Sequence, residues 1–98
     1  MPRVRIKTGP NQGLVHNIGD DTLTLGRDTD CTIQILDKGA SRKHSEIFKI
    51  GEMCFIRDLQ SRNGTFVNDA RVVSTKLSSG DVVRIGGSSF KYLLPKSK

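Results

Sequence analysis

Apolar and polar residues alternate along this chain in short runs, and turn residues break the runs every few positions. Arg3-Val4-Arg5-Ile6-Lys7 sets a basic residue against an aliphatic one at each step, the period-two pattern of a strand with one wet face. Leu14-Val15-His16-Asn17-Ile18, Thr22-Leu23-Thr24-Leu25 and Thr32-Ile33-Gln34-Ile35 predict three further strands. His44 to Ile50 predicts another, and Gly51-Glu52 a hairpin turn into Met53-Cys54-Phe55-Ile56-Arg57-Asp58. Thr65-Phe66-Val67, Arg71-Val72-Val73, Val82-Val83-Arg84-Ile85 and Ser88 to Leu94 complete the set. Turns are expected at Gly9-Pro10-Asn11-Gln12-Gly13, Gly19-Asp20-Asp21, Asn68-Asp69-Ala70, Ser78-Ser79-Gly80-Asp81 and Gly86-Gly87. No amphipathic stripe runs for three helical turns. About ten short strands with short links predict an all-β sandwich or barrel. Antiparallel pairing is expected, because parallel neighbours need long crossovers.

Ninety-eight residues fit a single domain over 1–98, with its core at about 4–94 and Pro95-Lys96-Ser97-Lys98 as a frayed tail. No apolar stretch approaches the roughly 20 residues that cross a bilayer, so no membrane span is expected. Met1-Pro2-Arg3-Val4 lacks the apolar core of a signal peptide. A monomeric cytoplasmic domain is expected, or a nuclear one if the source is eukaryotic. Cys31 and Cys54 form no Cys-x-x-Cys pair and are expected to be reduced, buried thiols. The net charge of +6 favours polyanionic or phosphorylated partners. One Tyr, four Phe and no Trp supply few platforms on which single-stranded bases could stack.

Three polar motifs lie between predicted strands, where a rigid sheet presents binding groups. In Gly26-Arg27 the glycine permits a close approach, and the guanidinium offers a planar fork to phosphate. The alternative is a surface Arg27 paired with Asp28 or Asp30. In Ser41-Arg42-Lys43-His44 a hydroxyl and neighbouring N–H groups can donate to an oxyanion, with Arg42 adding charge. His44 suits a backbone-bonded, loop-holding role better than catalysis. No acidic residue adjoins it as an orienting partner, and no Gly-x-Ser-x-Gly elbow exists. His16 has no companions and is read as a strand surface residue. In Ser61-Arg62-Asn63-Gly64-Thr65 the Asn-Gly pair could close a hairpin, or the Asn63 amide could clamp a peptide main chain. No metal ligand cluster or nucleophile–base pair can be assembled.

Together, Gly26-Arg27, Ser41 to His44 and Asn63 to Asn68 resemble the forkhead-associated (FHA) domain, a phosphothreonine-peptide binding module. The likeness runs from about Val4 to Leu94 and takes in Asp81-Val82-Val83-Arg84-Ile85-Gly86. It implies an eleven-stranded antiparallel β-sandwich of two twisted sheets, with ligand held across loops at one end. It implies that Arg27 and Ser41 bond the phosphate, that Arg42 contacts phosphate or peptide, and that Asn63 holds the peptide backbone. Arg62 stands where some members place Thr or Ser, so the contact there becomes ionic or moves to Ser61. Gly26, His44 and Gly64 would shape the site, and Asn68 would brace the loop from behind. A small apolar recess behind the phosphate, formed by the Ser61 to Thr65 loop, would favour phosphothreonine over phosphoserine.

The expected function is therefore recognition and not catalysis, without cofactor or metal. The partner would be a phosphorylated protein or a segment of the chain's own parent. Two rivals stand beside this reading. One is a basic nucleic-acid-binding β domain, whose affinity would fall steeply with salt. The other is a degenerate FHA domain that assembles proteins without phosphate.

Overall fold

A computed structural model describes residues 2–8 and 12–94 of the chain. Residues 9–11 of the turn expected at Gly9-Pro10-Asn11-Gln12-Gly13, and the tail expected at 95–98, lie outside the described residues. The elements run β1 (Arg3–Thr8), β2 (Val15–Asn17), β3 (Leu23–Gly26), β4 (Ile33–Gln34), β5 (Ser45–Ile50) and β6 (Met53–Asp58), followed by β7 (Thr65–Val67), β8 (Ala70–Val72), β9 (Ser74–Lys76), β10 (Val82–Ile85) and β11 (Ser88–Leu93). They form a six-stranded sheet in the order β2-β1-β11-β10-β7-β8 and a five-stranded sheet in the order β4-β3-β5-β6-β9. The all-β sandwich expected from the alternation is what forms.

The alternating residues drive the packing. Val4, Ile6, Val83, Ile85, Phe90 and Tyr92 point inward from one sheet, and Leu25, Ile33, Ile47, Cys54 and Ile56 from the other. Each fully buried aliphatic or aromatic side chain contributes roughly 1.5–3 kcal/mol, so this layer is the main source of cohesion. Cys31 and Cys54 are both buried and free, as expected. Two tight hairpins obey their turn chemistry. Gly51 takes φ +61° between the paired Ile50 and Met53, and Asn68 and Asp69 both take positive φ between Val67 and Ala70.

Three features depart from the sequence reading. The β3–β4 pair is parallel, with Leu25 opposite Ile33 and Gly26 opposite Gln34. Residues 27–32 fold straight back because Cys31 N–H bonds the Asp28 carbonyl at 3.1 Å, while Thr24 and Thr32 bond reciprocally at 3.2 and 3.0 Å. A pair only two residues long needs no crossover helix. The second departure is β9, whose Ser74-Thr75-Lys76 lacks any apolar alternation because it lies along the edge of β6. The third is Val73, read as strand but 80% exposed; there the chain leaves one sheet for the other.

Candidate functional site

Residues 27–32 join β3 to β4, residues 35–44 join β4 to β5, and residues 59–64 join β6 to β7. Direct hydrogen bonds hold these loops together at one end of the sandwich. Gly26 makes the first junction possible. A β-carbon there would lie 2.1 Å from the Arg42 carbonyl oxygen, so the second loop can approach only because position 26 has no side chain. The approach lets Arg27 N–H bond the Ser41 carbonyl at 3.0 Å and His44 N–H bond the Leu25 carbonyl at 2.9 Å. The Arg27 side chain is exposed, and its Nε donates to the Ala40 carbonyl at 3.2 Å. Among the described residues it forms an ion pair with neither Asp28 nor Asp30.

His44 is fully buried behind the loops. Its Nδ1 accepts the Ser41 N–H at 3.0 Å, and its Nε2 donates to the Gly64 carbonyl at 2.8 Å. Those partners place the proton on Nε2. Asp58 does lie near, with Oδ1 4.0 Å from Nε2, although sequence distance hid it. A catalytic role still fails on geometry, because both ring nitrogens are occupied by backbone groups and neither can take a proton from Ser41.

The third loop is wound around Asp58. Its carboxylate accepts from Ser61 N at 3.1 Å, Ser61 Oγ at 2.6 Å and Thr65 Oγ1 at 2.7 Å. Burial alone would raise the Asp58 pKa, but the hydrogen bonds from Ser61 and Thr65, with the nearby His44, outweigh it and hold the carboxyl below its ordinary value. Gln60 at φ +56° and Gly64 at φ +92° let the chain close this curl. The Asn63-Gly64 pair therefore closes no hairpin: β6 and β7 belong to different sheets, and the loop is the crossing between them.

Ser61 needs reassignment. Its hydroxyl donates to Asp58 and accepts from Gly64 N–H at 2.9 Å, so it turns inward and shapes the loop instead of facing a ligand. Ser41 is placed the other way. Its Oγ accepts from Arg62 N–H at 3.0 Å, and its hydroxyl proton has no acceptor among the described residues. Asn63 Nδ2 donates to the Gly39 carbonyl at 2.9 Å, which fixes the amide plane and leaves its oxygen open. Asn68 also differs from expectation. It sits beyond the far end of β7, where Oδ1 accepts from Val82 N–H and Nδ2 donates to Asp81, both at 3.0 Å. With a three-residue strand between, it is about 10 Å or more from Gly64 and braces the start of β10, not the loop.

Arg27, Ser41, Arg42, Arg62 and Asn63 come together around a depression of about 250 Å³, completed by Lys38, Gly39 and Ala40. Its rim carries four cations and no carboxylate. A neighbouring hollow of about 300 Å³ shares Arg27 and Arg42 and adds Asp28 and Thr29. Sequence reasoning passed over Lys38, Asp37 and Asp58. Asp37 ties the second loop to the β10–β11 turn, accepting from Gly39 N at 2.7 Å and Gly87 N at 2.9 Å. The Asp58-x-x-Ser61 spacing was a usable signal, since short polar side chains commonly close such turns. Lys38 offered none, because the path of residues 35–44 alone brings it to the rim.

Comparison with known proteins gives a consistent result. The FHA domain family profile matches residues 23–86. The FHA domain-containing protein FhaA of Mycobacterium tuberculosis is 35% identical over 85 residues, which is 87% of this chain and 16% of FhaA. The glycogen accumulation regulator GarA of Mycolicibacterium smegmatis is 38% identical over 93 residues, 94% of this chain and 59% of GarA. The chain thus spans only part of the length of these relatives. A structure solved in a study of phosphothreonine-dependent FHA domain interactions superposes with a TM-score of 0.89 at 31% identity, covering 98% of both chains.

Proposed function

Since the chain belongs to the FHA domain family, we propose that it is a phosphothreonine-dependent recognition module and binds an extended phosphorylated segment across the three loops. The observation that carries this reading is the four-cation, carboxylate-free rim around Ser41 and Asn63. An oxyanion of charge near −2 at pH 7 suits such a rim. Arg27 and Arg42 supply charge and planar donors. Ser41 supplies a directed hydroxyl, because the Arg62 N–H already occupies one lone pair of its oxygen. Asn63, held by Gly39, offers its amide oxygen to a peptide N–H. Arg62 and Lys38 flank the phosphate as further cations and replace the neutral donor that some family members use.

The site is built before ligand arrives, since backbone and side-chain bonds already fix Ser41 and Asn63. Preformed donors lose little freedom on binding, which favours affinity from few contacts. The activity in this reading is recognition: both ring nitrogens of His44 are engaged by backbone groups. The ligand comes from a substrate of a Ser/Thr kinase or from a phosphorylated segment of the parent protein. The module acts in the compartment where such kinases work; among the described residues no helix is long and apolar enough to cross a membrane.

Selection from an oriented phosphothreonine peptide library, run beside its unphosphorylated counterpart, tests the proposal. Enrichment of a flanking motif only in the phosphorylated library is expected. Equal retention of both libraries would point to a phosphate-independent assembly surface.

A further inference from the structure

We propose that the outer face of the six-stranded sheet is a second docking surface, which holds an acidic segment of the same partner whose phosphothreonine seats at the loops. This rests on the phosphothreonine reading above. Arg3, Arg5, Lys7, Arg84 and Lys91 project outward from this sheet, alternating with the buried side chains of their strands, and Arg71 on the edge strand β8 lies opposite the outward Phe66. None of its strands carries an Asp or Glu. Among the described residues none of these six cations forms an ion pair. The strands of the other sheet, by contrast, carry the cations Lys49, Arg57 and Lys76 together with the carboxylates of Glu46 and Asp58.

The cations are ordered. Arg3 and Arg5 lie two residues apart along β1, about 6.7 Å, which is the spacing of same-side side chains on an extended acidic peptide, and Lys7 follows at the bulge between Ile6 and Thr8. Lys91 stands directly opposite Arg5 across the β1–β11 pair, and Arg84 lies in register with Phe66, which in turn faces Arg71. The surface is continuous with the loop site. Arg71 folds back over Gly64, where a β-carbon would meet its Nε at 2.6 Å, so the row Arg71–Phe66–Arg84 begins beside Asn63. A partner tethered by its phosphothreonine would meet this face at an effective concentration near the millimolar range.

Other polyanions fit less well. Phe66 is the aromatic on this face, and the Arg84 guanidinium covers one side of its ring at 4.4 Å, which leaves little platform to stack a base. A bilayer would use the same charges without needing the loops, whereas Arg71 joins the face to the loops directly.

The test measures fluorescence anisotropy with the whole chain at about 0.1 M salt, where surface charges are only partly screened. A short phosphothreonine peptide with neutral flanks is compared with versions extended, at either end, by a Gly/Ser spacer of about six residues, long enough to cross the roughly 15 Å to Lys91. The extension ends in a run of glutamates or, as control, of serines. One glutamate version is expected to bind about tenfold tighter than its serine control. Arg5→Gln with Lys91→Gln, or independently Arg3→Gln with Lys7→Gln, should remove most of that gain and leave the short peptide within about twofold. Arg3, Arg5 and Lys7 are exposed, Lys91 is half-buried, and all four lie outside the loops, so the short peptide also reports that the fold is intact. Gains below twofold at both ends would overturn the proposal, as would a gain that survives both double variants. It would be overturned equally if the glutamates add nothing while the variants weaken binding to single-stranded DNA or to phosphatidylserine vesicles, which would reassign the face to that polyanion. Failure of the short peptide to bind would strike the phosphothreonine reading itself.

Discussion

The buried Nε2–H of His44 donates to the Gly64 carbonyl at 2.8 Å, and this bond joins the second loop to the third from inside the protein. Its opposite nitrogen holds the Ser41 N–H, so one imidazole sets the relative position of the Ser41 and Asn63 loops, whose hydroxyl and amide are the proposed ligand contacts. In the proposed site, the chemistry offered to the phosphate thus depends on a residue buried behind the loops.

Replacement of His44 by Ala leaves the Ser41 N–H and the Gly64 carbonyl without partners. Each unpaired buried group costs about 1–3 kcal/mol. For a domain of this size, each kcal/mol lowers Tm by roughly 4–8 °C. Thermal unfolding of the free domain measures it. An unchanged Tm with binding abolished would make His44 a ligand contact instead.

Gly26→Ala should be damaging although position 26 carries no function of its own. The new methyl meets the Arg42 carbonyl, which is backbone and can move only with the whole Ser41 loop. Overpacking of this kind costs typically 1–3 kcal/mol. Urea unfolding should show the loss, and phosphopeptide affinity should fall in whatever fraction remains folded. A variant as stable as the parent would refute the close approach.

Asp58 links stability to acid. Its folded pKa lies below the ordinary 3.8, so the stability it contributes is complete above about pH 4 and is lost as the pH falls through the folded value. Asp58→Asn cannot accept all the bonds from Ser61 and Thr65. It should be less stable than the parent near neutral pH, and the gap should narrow in acid. Chemical unfolding of both proteins across pH 2 to 7 checks this, and parallel curves would contradict it.

Much of this molecule was legible in the order of its residues, and the exceptions have physical causes. The strict alternation of Arg3 to Lys7 and the hairpin at Gly51-Glu52 announce themselves locally, because one side chain period and one turn settle them. Ser74 to Lys76 does not, since an edge strand needs only backbone partners. The site motifs were visible as residue types, but direction was not. Ser41 and Ser61 are both serines beside an arginine, yet one hydroxyl faces out and the other is bound by Asp58. Only the curl of residues 59–64 decides between them. Asn68 belongs to the same motif as Asn63, yet a strand separates them.

Arg27→Ala should weaken phosphopeptide binding by about 10- to 100-fold, the equivalent of one charge-assisted bond of roughly 1.5–3 kcal/mol. The Arg27 side chain is exposed and its part-buried Nε bond to the Ala40 carbonyl is long at 3.2 Å, so Tm should change little. Isothermal titration with a selected peptide, together with a melting curve, separates the two effects. Undiminished affinity in the folded variant would remove Arg27 from the phosphate site.

The most direct test is a titration of one peptide in three forms, with threonine, phosphothreonine and phosphoserine at the same position. Loss of the phosphate should remove measurable binding, since the rim's cations then face no charge. Loss of the methyl should weaken binding on the order of tenfold, from about 0.8 kcal/mol of apolar burial and from the stiffer torsion of a β-branched side chain. Equal affinity for the threonine and phosphothreonine forms would contradict the account.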